Sequence, residues 1–154
     1  QRANDILFQG HVHYRNFEFV DATEDYLLAK EIAPDDESID TLLDFDEIKL
    51  ILEAEQERTP RIADGQSMNA QWLALQLGRS YRMQGRYREA VSEIKPFVDR
   101  IPAPSVTLDG NIRENAIGLN DVMAEIYEAA GQAGRAAEYR QRAQAYREAA
   151  PASE

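Results

Sequence analysis

Apolar residues along this 154-residue chain recur at helical spacing, and no stretch keeps the strict alternation of a half-buried strand. One face is especially clear, with apolar or small residues at i, i+3, i+4 and i+7. A glycine at the centre of such a face lets a second helix approach closely. The pattern therefore predicts an all-α protein. The members of this face are Ala74, Leu77, Gly78 and Tyr81.

The residues after this face predict a turn and a second helix. Gly85 suits the left-handed residue that ends many helices. Tyr87, Ala90 and Ile94 then recur on one face of the next helix, which Pro102 is expected to stop. The whole segment therefore predicts a helical hairpin.

The same features return at fixed distances along the chain. A step back of 68 residues takes Gly78 to Gly10, and a step forward of 46 takes Gly85 to Gly131. Because 68 is twice 34 and 46 is 34 plus 12, a 34-residue repeat with 12 extra residues accounts for both steps. We expect the extra residues in a long loop in the proline- and glycine-rich stretch 101–110. At the 68-residue step, Ala22 and Pro34 also match Ala90 and Pro102. At the 46-residue step, Tyr127 and Ala136 match Tyr81 and Ala90.

This arrangement resembles the tetratricopeptide repeat, a 34-residue helix-turn-helix unit with a Leu-Gly-x2-Tyr pattern followed by alanine and then proline. The resemblance implies an α-solenoid of antiparallel helix pairs, a superhelix of about seven helices, in a single domain over residues 1–150. It places the units at about 3–36, 71–104 and 117–150. Residues 151–154 would form a frayed tail.

The repeats are degenerate. Ala74 stands where the family usually has tryptophan, and Phe97 where the second helix usually has alanine. In the first unit His13 replaces the usual tyrosine and Phe17 the usual glycine. The remaining core positions of that unit are assigned to His13, Phe17, Phe19, Tyr26 and Ala29.

Residues 37–70 have the length of a repeat but not its residues, and we interpret them as a divergent acidic insert. We expect a helix, a break near Asp44 and a second helix to about Arg58, with one long helix as the alternative. The two apolar faces of the insert are Ile39, Leu42, Leu43 and Leu50, and Phe45, Ile48 and Leu52.

Local signals predict several helix limits. An acid three residues before a glutamate is typical of a helix start, and a residue before proline of a helix end. The predicted starts are Asp21 with Glu24 and Asp44 with Glu47, and the predicted ends are Ala33-Pro34 and Thr59-Pro60.

The charge is strongly negative and uneven. The formal net charge is −11, and residues 1–66 hold 17 acids and 6 bases, whereas 67–154 hold 11 of each. Nucleic acid and anionic membranes attract cationic proteins, so neither is an expected partner. The apolar runs are too short for membrane insertion. Without cysteine the chain forms no disulfide, and its compartment stays open between cytoplasm and periplasm.

The sequence offers little catalytic chemistry. His11 and His13 are the only histidines, and residues two apart on a helix point away from each other. We therefore expect no metal site, and we interpret His13 as a core residue. No phosphate-binding glycine loop or nucleophile motif occurs. The expectation is a protein that is not an enzyme and uses no cofactor.

A second face of the helix around residues 70–84 carries apolar and basic residues that the packing face does not explain. Tryptophan, methionine and arginine are enriched where proteins bind proteins. The resemblance places this side of the helix in a concave groove that holds peptides. The predicted partner-binding residues are Trp72, Leu75, Arg79, Arg82 and Met83.

The expected partner is a protein or peptide with an acidic segment and an apolar anchor. Packing of this face against the acidic insert is the structural alternative. The lysine and asparagine that grip chaperone C-termini in the family are replaced by Leu7 and His11, so that ligand is not expected. The third unit would place Asp121, Glu125 and Glu128 on its groove side. The rival function is a structural subunit whose terminal helices dock to copies of itself, or to a larger machine.

Overall fold

The computed structural model describes residues 2–58 and 68–151, and for 55–58 and 68–69 it describes the backbone only. Every regular element in these residues is an α-helix, so the predicted all-α class is confirmed. The predicted end at Thr59-Pro60 and most of the predicted tail lie outside the described residues. Eight helices are described: α1 (Arg2–Arg15), α2 (Phe19–Ile32), α3 (Glu37–Asp44), α4 (Asp46–Arg58), α5 (Met68–Met83), α6 (Tyr87–Asp99), α7 (Gly110–Ala129) and α8 (Ala133–Glu148).

The chain groups into two compact units, Gln1–Ala54 and Glu55–Glu154. In the first unit α1 packs against α2, and α2 against α3. In the second unit α5 packs against α6, and both of these helices contact α7. Helix α7 in turn packs against α8. Helices adjacent in sequence thus form three hairpins, α1–α2, α5–α6 and α7–α8.

All three hairpins close with the same turn. Between α5 and α6, the Arg86 N–H donates to the Tyr81 carbonyl (2.9 Å) and the Gly85 N–H to the Arg82 carbonyl (3.0 Å). This pair of bonds is the Schellman motif, with Gly85 in the left-handed conformation (φ +73°). The turns recur at the 68- and 46-residue steps found in the sequence. In the first hairpin the equivalent bonds run from the Glu18 N–H to the His13 carbonyl and from the Phe17 N–H to the Tyr14 carbonyl. In the third they run from the Gln132 N–H to the Tyr127 carbonyl and from the Gly131 N–H to the Glu128 carbonyl.

Phe17 adopts the left-handed conformation (φ +63°) that glycine provides in the other two turns. Phe17 is 56% exposed, and its ring meets the Phe19 ring edge-on. The prediction that Phe17 belongs to the core is therefore wrong. The turn geometry directs its side chain outward, whereas Phe19, Tyr26 and Ala29 are buried as expected.

We expect Gly85→Ala to lower the free energy of unfolding by about 1 kcal/mol, since a Cβ is strained at positive φ. No atom lies within 4 Å of the position that this Cβ would take, so the cost is conformational and not steric. Gly134→Ala is the matched control, because Gly134 also has open space but lies in α8 without a positive φ. Urea unfolding of both variants tests this, and equal stabilities would contradict it.

Two glycines lie at close contacts between paired helices. A Cβ built on Gly78 would lie 2.8 Å from Ile94 Cγ1, and one on Gly10 would lie 2.8 Å from a ring carbon of Tyr26. Each partner lies 16 residues after its glycine, which agrees with the 68-residue step. The predicted close helix contact at Gly78 is confirmed.

The predicted helix starts at Asp21 and Asp44 are wrong. Asp21 lies inside the first turn of α2, and Asp44 is the last residue of α3. Two acids that cap helices are Asp36, which accepts from the Ser38 N–H (3.0 Å), and Asp109, which accepts from the Asn111 N–H (2.8 Å). The predicted end at Ala33-Pro34 is confirmed, because α2 ends at Ile32.

The acidic insert contains the predicted break. Phe45 separates α3 from α4 in a left-handed conformation (φ +53°), so the alternative of one long helix is wrong. Ile39 and Leu43 are buried on one side of this break, and Phe45 itself is buried too. Leu50 is 66% exposed and does not join the apolar face assigned to it.

The expected loop is also present. α6 ends at Asp99, residues 101–109 contain no helix, and α7 begins at Gly110. The Tyr146 hydroxyl donates to the Pro102 carbonyl (2.6 Å), which attaches the start of the loop to α8. The 12 extra residues therefore lengthen the connection between two hairpins without changing the turns inside them.

Candidate partner-binding face

Helix α5 uses one side for packing. Ala74, Leu77 and Tyr81 are at most 1% exposed, and Gly78 lies against Ile94 of α6. This is the face that the i, i+3, i+4, i+7 pattern predicted. From residue 70 onward, the exposed and half-buried side chains of α5 lie on its other side.

The five predicted partner-binding residues lie together on that other side, because their spacing returns to one face of a helix. Trp72 is 42% exposed, so it is not enclosed in the core. The other four are half-buried, which is common for long side chains that lie along a helix surface. They are Leu75, Arg79, Arg82 and Met83.

The two arginines of this face are not neutralised within the described part of the chain. Among the described side chains, those of residues 2–54 and 70–151, no carboxylate lies within ion-pair distance of Arg79 or Arg82. The Nε atom of Arg82 is buried and finds no hydrogen-bond acceptor among the same residues. A buried donor without an acceptor is unfavourable, and a carboxylate would satisfy it.

The acids expected on the groove side of the third unit are largely occupied by α8. Arg147 binds Asp121 (2.5 Å), and Arg140 forms an ion pair with Glu128. Glu125 is exposed. Two of the three carboxylates thus serve the α7–α8 hairpin, which weakens the expectation of an acidic patch for a ligand.

A second cationic surface was not foreseen from the sequence. A cavity of about 470 Å³ lies where α6 and α8 begin, and Arg88 and Arg135 are on its wall with Tyr87 and Tyr127. The Arg135 guanidinium lies 5.6 Å from the centre of the Tyr127 ring. The alignment of the repeats could have indicated this surface. It places Tyr87 and Gln132 at the start of the second helix of two successive hairpins.

The two histidines have separate environments, as their spacing predicted. His11 Nδ1 lies 3.0 Å from the Tyr26 hydroxyl. Burial, with a smaller effect of Asp25, raises the pKa of Tyr26 to about 12, so this hydroxyl stays protonated and can donate to His11 at neutral pH. The side chain of His13 is 35% exposed and faces Glu18, so its assignment to the core is wrong.

No family model, curated protein or solved structure matches the chain. Among the described helices, none is both long and apolar enough to cross a membrane.

Proposed function

We propose that the chain is a tetratricopeptide-like α-solenoid that acts as a non-enzymatic interaction module. Three hairpins with one turn geometry, repeated at multiples of the family length plus one loop, support the architecture. Repeat proteins of this kind bind extended segments or helices along exposed helix faces. The partner is an acidic segment with an apolar anchor, bound on the α5 face of Trp72, Leu75, Arg79, Arg82 and Met83.

The observation that carries this proposal is the exposure of Trp72 beside two arginines without carboxylate partners among the described residues. Tryptophan supplies buried area in an interface, and arginine binds a carboxylate through two parallel hydrogen bonds. An aromatic anchor site with adjacent guanidinium groups suits a ligand that alternates apolar and acidic residues.

Trp72 is the only tryptophan in the chain, so its fluorescence reports on this face directly. We would titrate the full chain with a synthetic peptide of acidic residues around one leucine, and expect a saturable blue shift as Trp72 is desolvated. The control peptides replace the acids by lysine or the leucine by serine, and both should bind more weakly. A titration in which all three peptides behave alike would contradict the proposal.

The rival function, an assembly subunit, is favoured by the exposed apolar side chains of the first hairpin. Phe8 (63% exposed) and Val12 lie four residues apart on one face of α1, and Leu28 and Ile32 do the same on α2. Such a surface is suited to another copy of the chain. Light scattering over a range of concentrations would reveal oligomers, and Phe8→Ser with Val12→Ser should then restore the monomer mass.

A further inference from the structure

The first hairpin gathers metal-ligating side chains around its turn. His13 belongs to the last turn of α1, Glu18 is the N-cap of α2, and Asp21 lies in the first turn of α2. One ligand atom from each residue lies within 4.8 Å of those of the other two. The Schellman turn causes this, because it folds α2 back so that position 18 returns to position 13.

The spacing of two of these atoms fits a tetrahedral ion. His13 Nδ1 lies 3.3 Å from Glu18 Oε1. With bonds of about 2.0–2.2 Å to nitrogen and oxygen, neighbouring ligands of tetrahedral zinc are about 3.4 Å apart. These two atoms therefore already have the separation that a shared Zn²⁺ requires, and Asp21 completes three ligands after a small side-chain movement.

Asp25 faces the ring nitrogen of His13 that the ion would not occupy. The other ring nitrogen, His13 Nε2, lies 3.6 Å from Asp25 Oδ2. That carboxylate oxygen is buried and finds no hydrogen-bond partner among the described residues. A histidine that binds zinc commonly donates its second N–H to a carboxylate, which fixes the ring and makes it a stronger ligand. Asp25 is placed for this, and the bond would also satisfy its orphaned oxygen.

The same turn in the second hairpin shows that the ligands are particular to the first. There Tyr81 and Arg86 occupy the positions of His13 and Glu18, and the Arg86 guanidinium lies 4.6 Å from the Tyr81 ring centre. Positions 13 and 18 thus meet through the fold itself, while their metal-ligating chemistry is specific to the first hairpin.

We propose that His13, Glu18 and Asp21 bind a divalent transition-metal ion, with Zn²⁺ as the probe, and that Asp25 positions the His13 ring. An imidazole among the ligands favours zinc over calcium and magnesium, which prefer oxygen alone. The surplus of 17 acids over 6 bases in residues 1–66 further attracts a cation. This site is separate from the α5 face and does not depend on the proposed function.

Calorimetric titration of the full chain with ZnCl₂ tests the site. We expect one ion per chain, with the affinity reduced at least about 10-fold by His13→Ala and by Asp21→Asn. His11→Ala and Glu31→Gln are the matched controls, because each removes the same kind of group from the same hairpin outside the cluster, and both should keep the affinity. Asp25→Asn should reduce it by about 10- to 100-fold, as expected for a residue that orients a ligand.

A second measurement on the unmodified chain keeps the test independent of variant folding. Zinc should shift the ring NMR signals of His13 and leave those of His11 in place. Calcium or magnesium at the same concentration should shift neither. The proposal is overturned if His13 signals do not respond to zinc, if His11→Ala weakens binding as much as His13→Ala, or if zinc and calcium bind equally.

Discussion

Gly78→Leu is expected to lower the free energy of unfolding by about 1–3 kcal/mol, the cost of overpacking a closed helix interface. Even a Cβ at this position would approach Ile94 Cγ1 to 2.8 Å, and a leucine carries three further carbons into the same space. Ala90 is also fully buried there, and its carbonyl oxygen lies 3.6 Å from the position of that Cβ, so the backbone of α6 leaves little room for a larger side chain. Urea unfolding followed by circular dichroism measures the loss.

Gly118→Ala is the control for this prediction. Gly118 lies inside α7, and no atom lies within 4 Å of the position of an added Cβ. Alanine there should raise the free energy of unfolding by about 0.5–1 kcal/mol, because it restricts the unfolded chain and favours the helix. If Gly78→Leu proved as stable as the unmodified chain, the α5–α6 packing described above would be wrong.

The largest effect on binding is expected from Arg79→Glu combined with Arg82→Glu. The change reverses two positive charges on the α5 face, so an acidic peptide would meet repulsion where its carboxylates now find guanidinium groups that can each donate two parallel hydrogen bonds. We expect the Trp72 fluorescence titration to lose saturation completely. The thermal midpoint should change little, since neither arginine forms an ion pair with a described side chain that the change would break.

The matched control is Arg88→Glu with Arg135→Glu, which makes the same change of charge at the cavity beside α6 and α8. If the acidic peptide binds the α5 face, this variant should keep most of its affinity. Loss of binding in the control alone would move the ligand site to that cavity. A fall of several degrees in the melting temperature of the Arg79/Arg82 variant would instead indicate that these arginines stabilise the chain internally.

The sequence predicted best those positions where the conformation or the close contact strongly favours one residue type. Gly85 and Gly131 were expected in left-handed turns, and Gly78 at a close helix contact, because no other residue serves there as cheaply. Phe45 shows the opposite case. A break near Asp44 was expected from the change of apolar face, but nothing in the sequence indicates that a phenylalanine would adopt the left-handed conformation.

Helix starts were harder, because several acids compete for the same role. Asp36 and Asp109 cap α3 and α7, while Asp21, which has the better spacing to a glutamate, lies within α2. The choice depends on which backbone N–H groups the preceding turn leaves open, and the Schellman turn already determines where α2 begins.

The two candidate sites also differ in how far the sequence predicts them. The α5 face could be predicted because its residues belong to one helix and follow from periodicity alone. The His13 cluster does not follow from the periodicity of one helix, since Glu18 and Asp21 reach His13 only after the turn has reversed the chain. The alignment of the repeats nevertheless indicates that residues 13 and 18 lie close together, because these two positions face each other when the helices form a hairpin.

In each hairpin the turn occupies only three residues, 16–18, 84–86 and 130–132, between its two helices. Closing so short a segment costs little entropy, and contacts between neighbours in sequence form quickly. Each helix pair can therefore nucleate on the microsecond scale, before distant parts of the chain have met. Hydrogen exchange should accordingly protect both helices of a hairpin with one common opening energy, whereas the long connection at 101–109 should exchange at its own, faster rate.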